Sequence, residues 1–351
     1  MLRRNRFLLA ALLAIIGVGT LSYLWRTPAP APVSAPPASY AKALRLAHDG
    51  QPGAARLLYQ QLQRTDLSPM RRAALYAELP NYPSSIALKL AKRDLANPDA
   101  YVRRAAVMGI QRLLPPAQRS MALGPLLDDD DDSVRHAVVD ALLGLSPDAI
   151  GLYFSPLQEA LEAYQAVLAR QPDDADAQLH LARLYLHEAD YTGAAAALGR
   201  CLAVNPQSTD ALATQVRLLE RQGEHDASRE VLAKALRQNP DSAFLQHELG
   251  LWLSRHAQTE YALLAFSKAV ELQPEDADYR YTLATTLHQL EQVDAAQTQL
   301  QTLLDQHPSD RRARLRLIAY WKETGQLQNV QVLSAELERQ NPDDPALQQG
   351  L

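Results

Sequence analysis

A chain of 351 residues has room for about two domains of ordinary size. Its composition is 47% apolar but only 6% aromatic, a mix that favours helix because straight-chain side chains and Ala lose little rotamer freedom there. A net charge of −5 leaves no polycationic footprint and argues against nucleic acid as a partner, while the single cysteine, Cys201, excludes an intrachain disulfide, a C-x-x-C-H haem attachment and a C-x-x-C zinc site.

In chain order, residues 1–6 form a basic tip with Arg3, Arg4 and Arg6, followed by an uncharged run from Phe7 to Trp25. At ~1.5 Å per residue a helix over that run just spans a hydrocarbon core of ~30 Å. Tyr23 and Trp25 fall at its far end, where aromatics favour the headgroup zone. A cleaved signal peptide is the competing reading, but signal cores are shorter, about 7–15 residues, and end at a small-x-small site. The candidates Ala29-Pro30-Ala31 and Val33-Ser34-Ala35 are each followed by proline (Pro32, Pro36), which disfavours cleavage. The expectation is therefore a single-pass anchor at 7–25 in the inner (cytoplasmic) membrane of a bacterium. The positive-inside rule puts the tip in the cytoplasm and the soluble part in the periplasm. Residues 26–39 read as a Pro/Ala-rich linker, whose segment TPAPAPVSAPPAS favours extended polyproline II, a semi-rigid spacer of about 40 Å.

Residues 40–150 carry a loose repeat. Asp99-Ala-Tyr-Val-Arg-Arg-Ala105 returns as Asp131-Asp-Ser-Val-Arg-His-Ala137, and a weaker copy, Met70-Arg-Arg-Ala73, lies the same interval upstream. This motif resembles the HEAT repeat, in which Asp caps a helix whose Val and Ala face inward. The acidic run Asp128–Asp132 lacks the alternating ligands and central Gly of an EF-hand loop, and helix capping explains it better than calcium binding.

Residues 151–351 carry a strict repeat. Pro172, Pro206, Pro240, Pro274, Pro308 and Pro342 are evenly spaced, and Asp or Ser just beyond them can cap the next helix. Their interval and flanks resemble the tetratricopeptide (TPR) pattern, a helix–turn–helix unit of ~34 residues. The full units fall at 175–208, 209–242, 243–276, 277–310 and 311–344. Small residues recur in the second helices at Ala194, Ser228, Ala262 and Ala296, with large apolar ones four later at Leu198, Leu232, Phe266 and Leu300. Val216, Ile318 and Val330 depart from the pattern by replacing small residues. The expected fold is all-α: a right-handed α-solenoid of HEAT-like and TPR helix pairs behind an N-terminal transmembrane helix.

The TPR resemblance implies that first helices line a concave face that takes extended peptides or helices. In this register the groove positions are Arg183, His187, Arg217, Arg221, His247, Leu251, Arg255, Tyr281, His288, Leu315 and Lys322, interrupted by Asp210 and Glu220. Five cations and three histidines there favour an acidic peptide or a carboxyl terminus. The Lys/Asn carboxylate clamp of chaperone-binding TPR proteins is not present at these positions. Cys201 replaces a small packing residue, and His180 and His187 are two turns apart, ~10 Å along one helix, too far to share a metal. His187-Glu-Ala-Asp-Tyr191 has Tyr191 where H-E-x-x-H needs its second ligand. No catalytic set, cofactor motif or metal site can be read, so the expectation is a protein-binding scaffold and not an enzyme, with an enzyme carrying an unrecognised site as an alternative. The HEAT-then-TPR order also resembles the C-terminal half of periplasmic multihaem cytochromes. Without a haem motif, that resemblance implies as an alternative an assembly or chaperone-type subunit for c-type cytochrome maturation or a respiratory redox complex.

Overall fold

The computed structural model describes residues 37–350. The basic tip, the 7–25 segment and the linker up to residue 36 lie outside the described residues. Among the described residues no helix is long and apolar enough to cross a membrane, and there is no strand. Residues 37–42, the described part of a first unit ending at Lys42, are helical; residues 43–351 form the second, larger compact unit.

Among the described residues eight α-helices precede the strict repeat: α1 (Pro37–His48), α2 (Ala54–Gln63), α3 (Pro69–Glu78), α4 (Ser85–Asp94), α5 (Ala100–Leu113), α6 (Pro116–Leu123), α7 (Asp132–Leu142) and the one-turn α8 (Pro147–Ile150). Their starts follow local chemistry. The Asp99 carboxylate accepts the amides of Tyr101 and Val102, and Asp131 accepts that of Ser133. Val102 and Val134 are buried behind these caps, whereas Ala137 is half-buried. Two other members of the acidic run hold neighbouring basic groups: Asp129 pairs with Arg103 at 2.6 Å, and Asp132 with Arg135.

A long helix, α9 (Phe154–Ala169), leads into five helix pairs. They are α10 (Ala175–His187) with α11 (Tyr191–Val204), α12 (Thr209–Arg221) with α13 (His225–Gln238), α14 (Ala243–Arg255) with α15 (Thr259–Leu272), α16 (Ala277–Gln289) with α17 (Val293–Gln306), and α18 (Arg311–Glu323) with α19 (Leu327–Gln340). A short α20 (Pro345–Gln348) follows. Each second helix stops two residues before a repeat proline. Asp174, Ser208, Ser242, Asp276, Asp310 and Asp344 then cap the next helix with their side chains.

The turn inside each pair repeats with the same period. Ala189, Gly223, Ala257, Glu291 and Gly325 hold equivalent positions, and all have positive φ, from 56° to 80°. A Cβ in this left-handed region costs roughly 1–2 kcal/mol, against roughly 0.4–1 kcal/mol for the extra unfolded-state freedom of glycine. Ala257→Gly is therefore expected to stabilise the protein by ~0.5–1 kcal/mol, and Gly223→Ala to destabilise it by about as much, in equilibrium urea denaturation. No change in either would show that the turns tolerate the strain elsewhere.

Packing inside the pairs is complementary in volume. Ala194, Ser228, Ala262 and Ala296 are buried, as are Leu198, Leu232, Phe266 and Leu300. The helices of one pair come very close at Gly250, where an added Cβ would fall 2.4 Å from the Phe266 ring. The large residues Val216 and Ile318, which break the small-residue pattern of the first helices, are both buried. In the last unit the register reverses the Gly250–Phe266 arrangement, with Ile318 on the first helix and Ser334 on the second.

The two ends of the larger unit meet. The Gly53 amide donates to the Arg339 carbonyl at 2.8 Å, and the Asn341 side-chain amide donates to the Pro83 carbonyl at 2.8 Å. Gly50, at φ 58°, runs so close to the backbone of Pro308 that a Cβ would lie 2.4 Å from the Pro308 oxygen. Tyr82 donates to the Ala47 carbonyl and Tyr59 to the Tyr82 carbonyl, tying this end together. An open solenoid needs a polar capping face on its last repeat. Here the N-terminal helices cover it instead, so that Asn341 and Asp344 are fully buried.

Candidate partner-binding groove

The first helices of successive pairs, α10, α12 and α14, lie side by side. Their C-terminal turns open onto a cleft of ≈ 560 Å³ lined by Arg183, His187, Arg217, Arg221 and Arg255, together with Glu220, Leu186, His225 and His256. The reason is periodicity: His187, Arg221 and Arg255 occupy one register position at the end of each first helix. Arg183 and Arg217 sit one turn earlier on α10 and α12.

Most of these cations already touch acids of the neighbouring repeat. Arg183 reaches Asp210 at 3.0 Å, Arg217 reaches Glu248 at 3.6 Å, and Arg255 grips Glu220 with two hydrogen bonds, the shorter 2.7 Å. Glu220 also contacts His256 Nε2 at 3.3 Å. Burial pushes the Glu248 carboxyl above its ordinary range, and the Arg217 and Arg255 guanidiniums pull it back. Exposed Arg221 meets no carboxylate among the described residues. His187 accepts the Gly144 amide at 3.3 Å, which ties the cleft to the loop after α7.

The other six groove positions lie outside this cleft. His247 faces Thr282 (3.2 Å) and the Tyr279 ring, and burial holds its pKa below the ordinary histidine value. Leu251 packs against the core around Phe266. The Tyr281 hydroxyl accepts from Arg316 at 3.1 Å, and Arg312 sits 4.1 Å above its ring. His288 contacts Glu323 at 2.7 Å and stacks on Tyr320 at 3.8 Å. Leu315 is half-buried, and Lys322 donates to the Gly350 carbonyl at 3.2 Å. The groove is thus a ladder of polar contacts between adjacent repeats, with its arginines gathered at one end.

Periodicity does not point to two of the cleft residues. His256 lies one residue beyond α14, and its register equivalents are Gln222 and Leu290. It packs on Trp252 (4.1 Å between rings) and edge-on to His225 (5.0 Å). Neither histidine recurs in the adjacent repeats, so only tertiary packing brings them to the cleft. Among the described residues, no three His, Cys, Asp or Glu side chains are grouped to hold a metal ion. Cys201 is buried in α11, and desolvation pushes its thiol pKa up, away from the thiolate.

Repeated antiparallel helix pairs, with a lined face on the first helices, define a helical-repeat scaffold. More narrowly, part of this region matches tetratricopeptide repeats: one such family model matches residues 186–247 and 257–319, and a second matches residues 157–200. No curated protein matches the chain. Among solved structures it is similar to YrrB, described as a TPR protein with an unusual peptide-binding site (20% identity over 52% of this chain and 94% of that one, TM-score 0.36). It is also similar to TTC0263, a TPR protein of Thermus thermophilus (22% identity, 58% and 98% covered, TM-score 0.41), and to yeast Tom70 (14%, 89% and 62%, TM-score 0.49). The stretches matched by the family models therefore have the helical-repeat architecture of TPR units.

Proposed function

We propose that this chain is a scaffold that captures an acidic segment, or a terminal carboxylate, of a partner protein in the cleft between α10, α12 and α14. The observation that supports this is the convergence of Arg183, Arg217, Arg221 and Arg255 from three successive repeats onto one cleft. Guanidinium forks bind carboxylates bidentately, and the Arg221 fork meets no carboxylate among the described residues. The Arg183 and Arg255 side chains are each 43% exposed, and exposed ion pairs are worth at most ~1 kcal/mol. An incoming carboxylate can therefore exchange with Asp210 at little cost, whereas Glu220, whose side chain is 13% exposed, stays with Arg255. In this reading residues 7–25 anchor the chain in the inner membrane, residues 40–150 form a HEAT-like neck, and the groove faces the periplasm.

The triple variant Arg217→Glu, Arg221→Glu, Arg255→Glu is the test. Fluorescence anisotropy with an Asp/Glu-rich peptide is expected to show at least a roughly tenfold loss of affinity while the helical circular dichroism is retained, since three attractive contacts become repulsive. Unchanged capture of the peptide would remove the groove from the account.

A further inference from the structure

We propose a second docking surface, outside the TPR groove: the channel between α3 and α5 is a seat for an acid-flanked amphipathic helix of a partner protein. The two helices pack directly against each other and leave a groove of ≈ 470 Å³ between them. Its walls are Met70, Tyr101 and Met108, which are 74%, 46% and 55% exposed, so three large apolar side chains meet on one small surface. Ala73, half-buried, belongs to a run of small residues that sets the floor back below these walls. Tyr101, Arg104, Met108 and Arg112 follow one another at spacings of three and four, so they form a single stripe about three turns or ~16 Å long on α5.

The charge on this groove is of one sign. Arg104 and Arg112 are its only charged lining residues. Neither meets a carboxylate among the described residues, and Arg104 instead lies 5.4 Å above the Tyr101 ring. Two guanidiniums that meet no carboxylate among the described residues, beside an apolar channel, complement a helix with an apolar stripe flanked by Asp or Glu. The length of the stripe matches three helical turns, and flexible methionine walls adapt to such a stripe, as in other helix-in-groove sites. A lipid surface would instead be met by protruding apolar side chains, whereas here the floor recedes.

The test uses the full-length chain with ¹³C-labelled methionine methyls, titrated with a synthetic amphipathic helix of about 16 residues bearing a Leu stripe flanked by Glu. The Met70 and Met108 signals are expected to shift and saturate, while Met121, 64% exposed but outside the groove, stays in place. Arg104→Glu with Arg112→Glu should weaken this peptide roughly tenfold and admit a Lys-flanked version. The proposal is overturned if Met70 and Met108 do not respond, if Met121 moves in parallel, or if charge reversal leaves affinity unchanged. It is equally overturned if the same methyls respond to phosphatidylglycerol vesicles and not to the peptide. None of these outcomes depends on the arginine cleft, which the triple variant tests separately.

Discussion

Arg72→Ala is expected to destabilise the protein by ~3–5 kcal/mol, because it leaves a buried carboxylate without its main counter-charge. Arg72 and Asp94 are 5% and 2% exposed and joined by a short Nε–Oδ2 hydrogen bond. The Arg72 guanidinium also donates to the carbonyls of Leu62 and Arg64, and the Tyr76 hydroxyl donates to Asp94 at 2.8 Å. Burial and the adjoining carboxylate push the Tyr76 hydroxyl pKa up, so it stays protonated and keeps donating. One side chain thus links the end of α2 to α3 and α4. Arg93 contacts the other Asp94 oxygen at 3.0 Å but is itself partly exposed, so it compensates little. The double replacement Arg72→Met, Asp94→Leu should recover much of the loss, since an apolar pair of similar volume often matches a buried ion pair. Urea denaturation checks both; a single variant that loses less than ~1 kcal/mol would show that the site is solvated.

The second large effect is at the Gly250–Phe266 contact. Phe266→Ala should cost ~3–5 kcal/mol through the cavity it leaves in the core shared with Leu283, Leu287 and Leu300. Gly250→Ala should cost ~1–3 kcal/mol, because its Cβ would fall against a ring that closely packed neighbours hold in place. The two changes are predicted to be coupled. In Phe266→Leu the ring is gone, and Gly250→Ala on that background should cost less than on the native one by ~1 kcal/mol. Strict additivity in the double-mutant cycle would mean that the backbone shifts to absorb the Cβ.

What could be read in advance follows from how far apart the interacting residues are in sequence. The repeat prolines and the Asp or Ser caps act within a few residues, so the repeat register and the helix starts were visible in the chain itself. The gathering of His187, Arg221 and Arg255 was visible too, because equal register means equal position along a stack. The left-handed turns were not: glycine marks only Gly223 and Gly325, while Ala189, Ala257 and Glu291 carry the same conformation without signalling it. The internal partners of the groove arginines were also hidden. Arg255 with Glu220 and His288 with Glu323 are contacts 35 residues apart, set by helix packing and not by local pattern.

Least visible was the meeting of the ends. The hydrogen bond from Asn341 to Pro83 spans 258 residues, and neither residue belongs to a motif that marks it. Asn341 sits in the same stretch before the repeat proline as Asn205 and Asn239, which are exposed or only half-buried; the repeat hides its different role. The contact has a physical logic all the same. Among the described residues only short α20 follows the last pair, and it is too small to cover Leu333 and Leu337 alone, yet both are buried. The N-terminal helices supply the missing cover.

Site-specific photocrosslinking in living cells is the most direct test of partner capture at the first-helix cleft. A photoreactive amino acid at Arg221, exposed at the cleft, is compared with one at Lys234, exposed on the second helix of the same repeat. A discrete crosslinked partner is expected from position 221, lost when Arg217 and Arg255 are reversed to Glu, and none from position 234. Crosslinking from 234 alone, or equally from both and indifferent to the reversals, would contradict it.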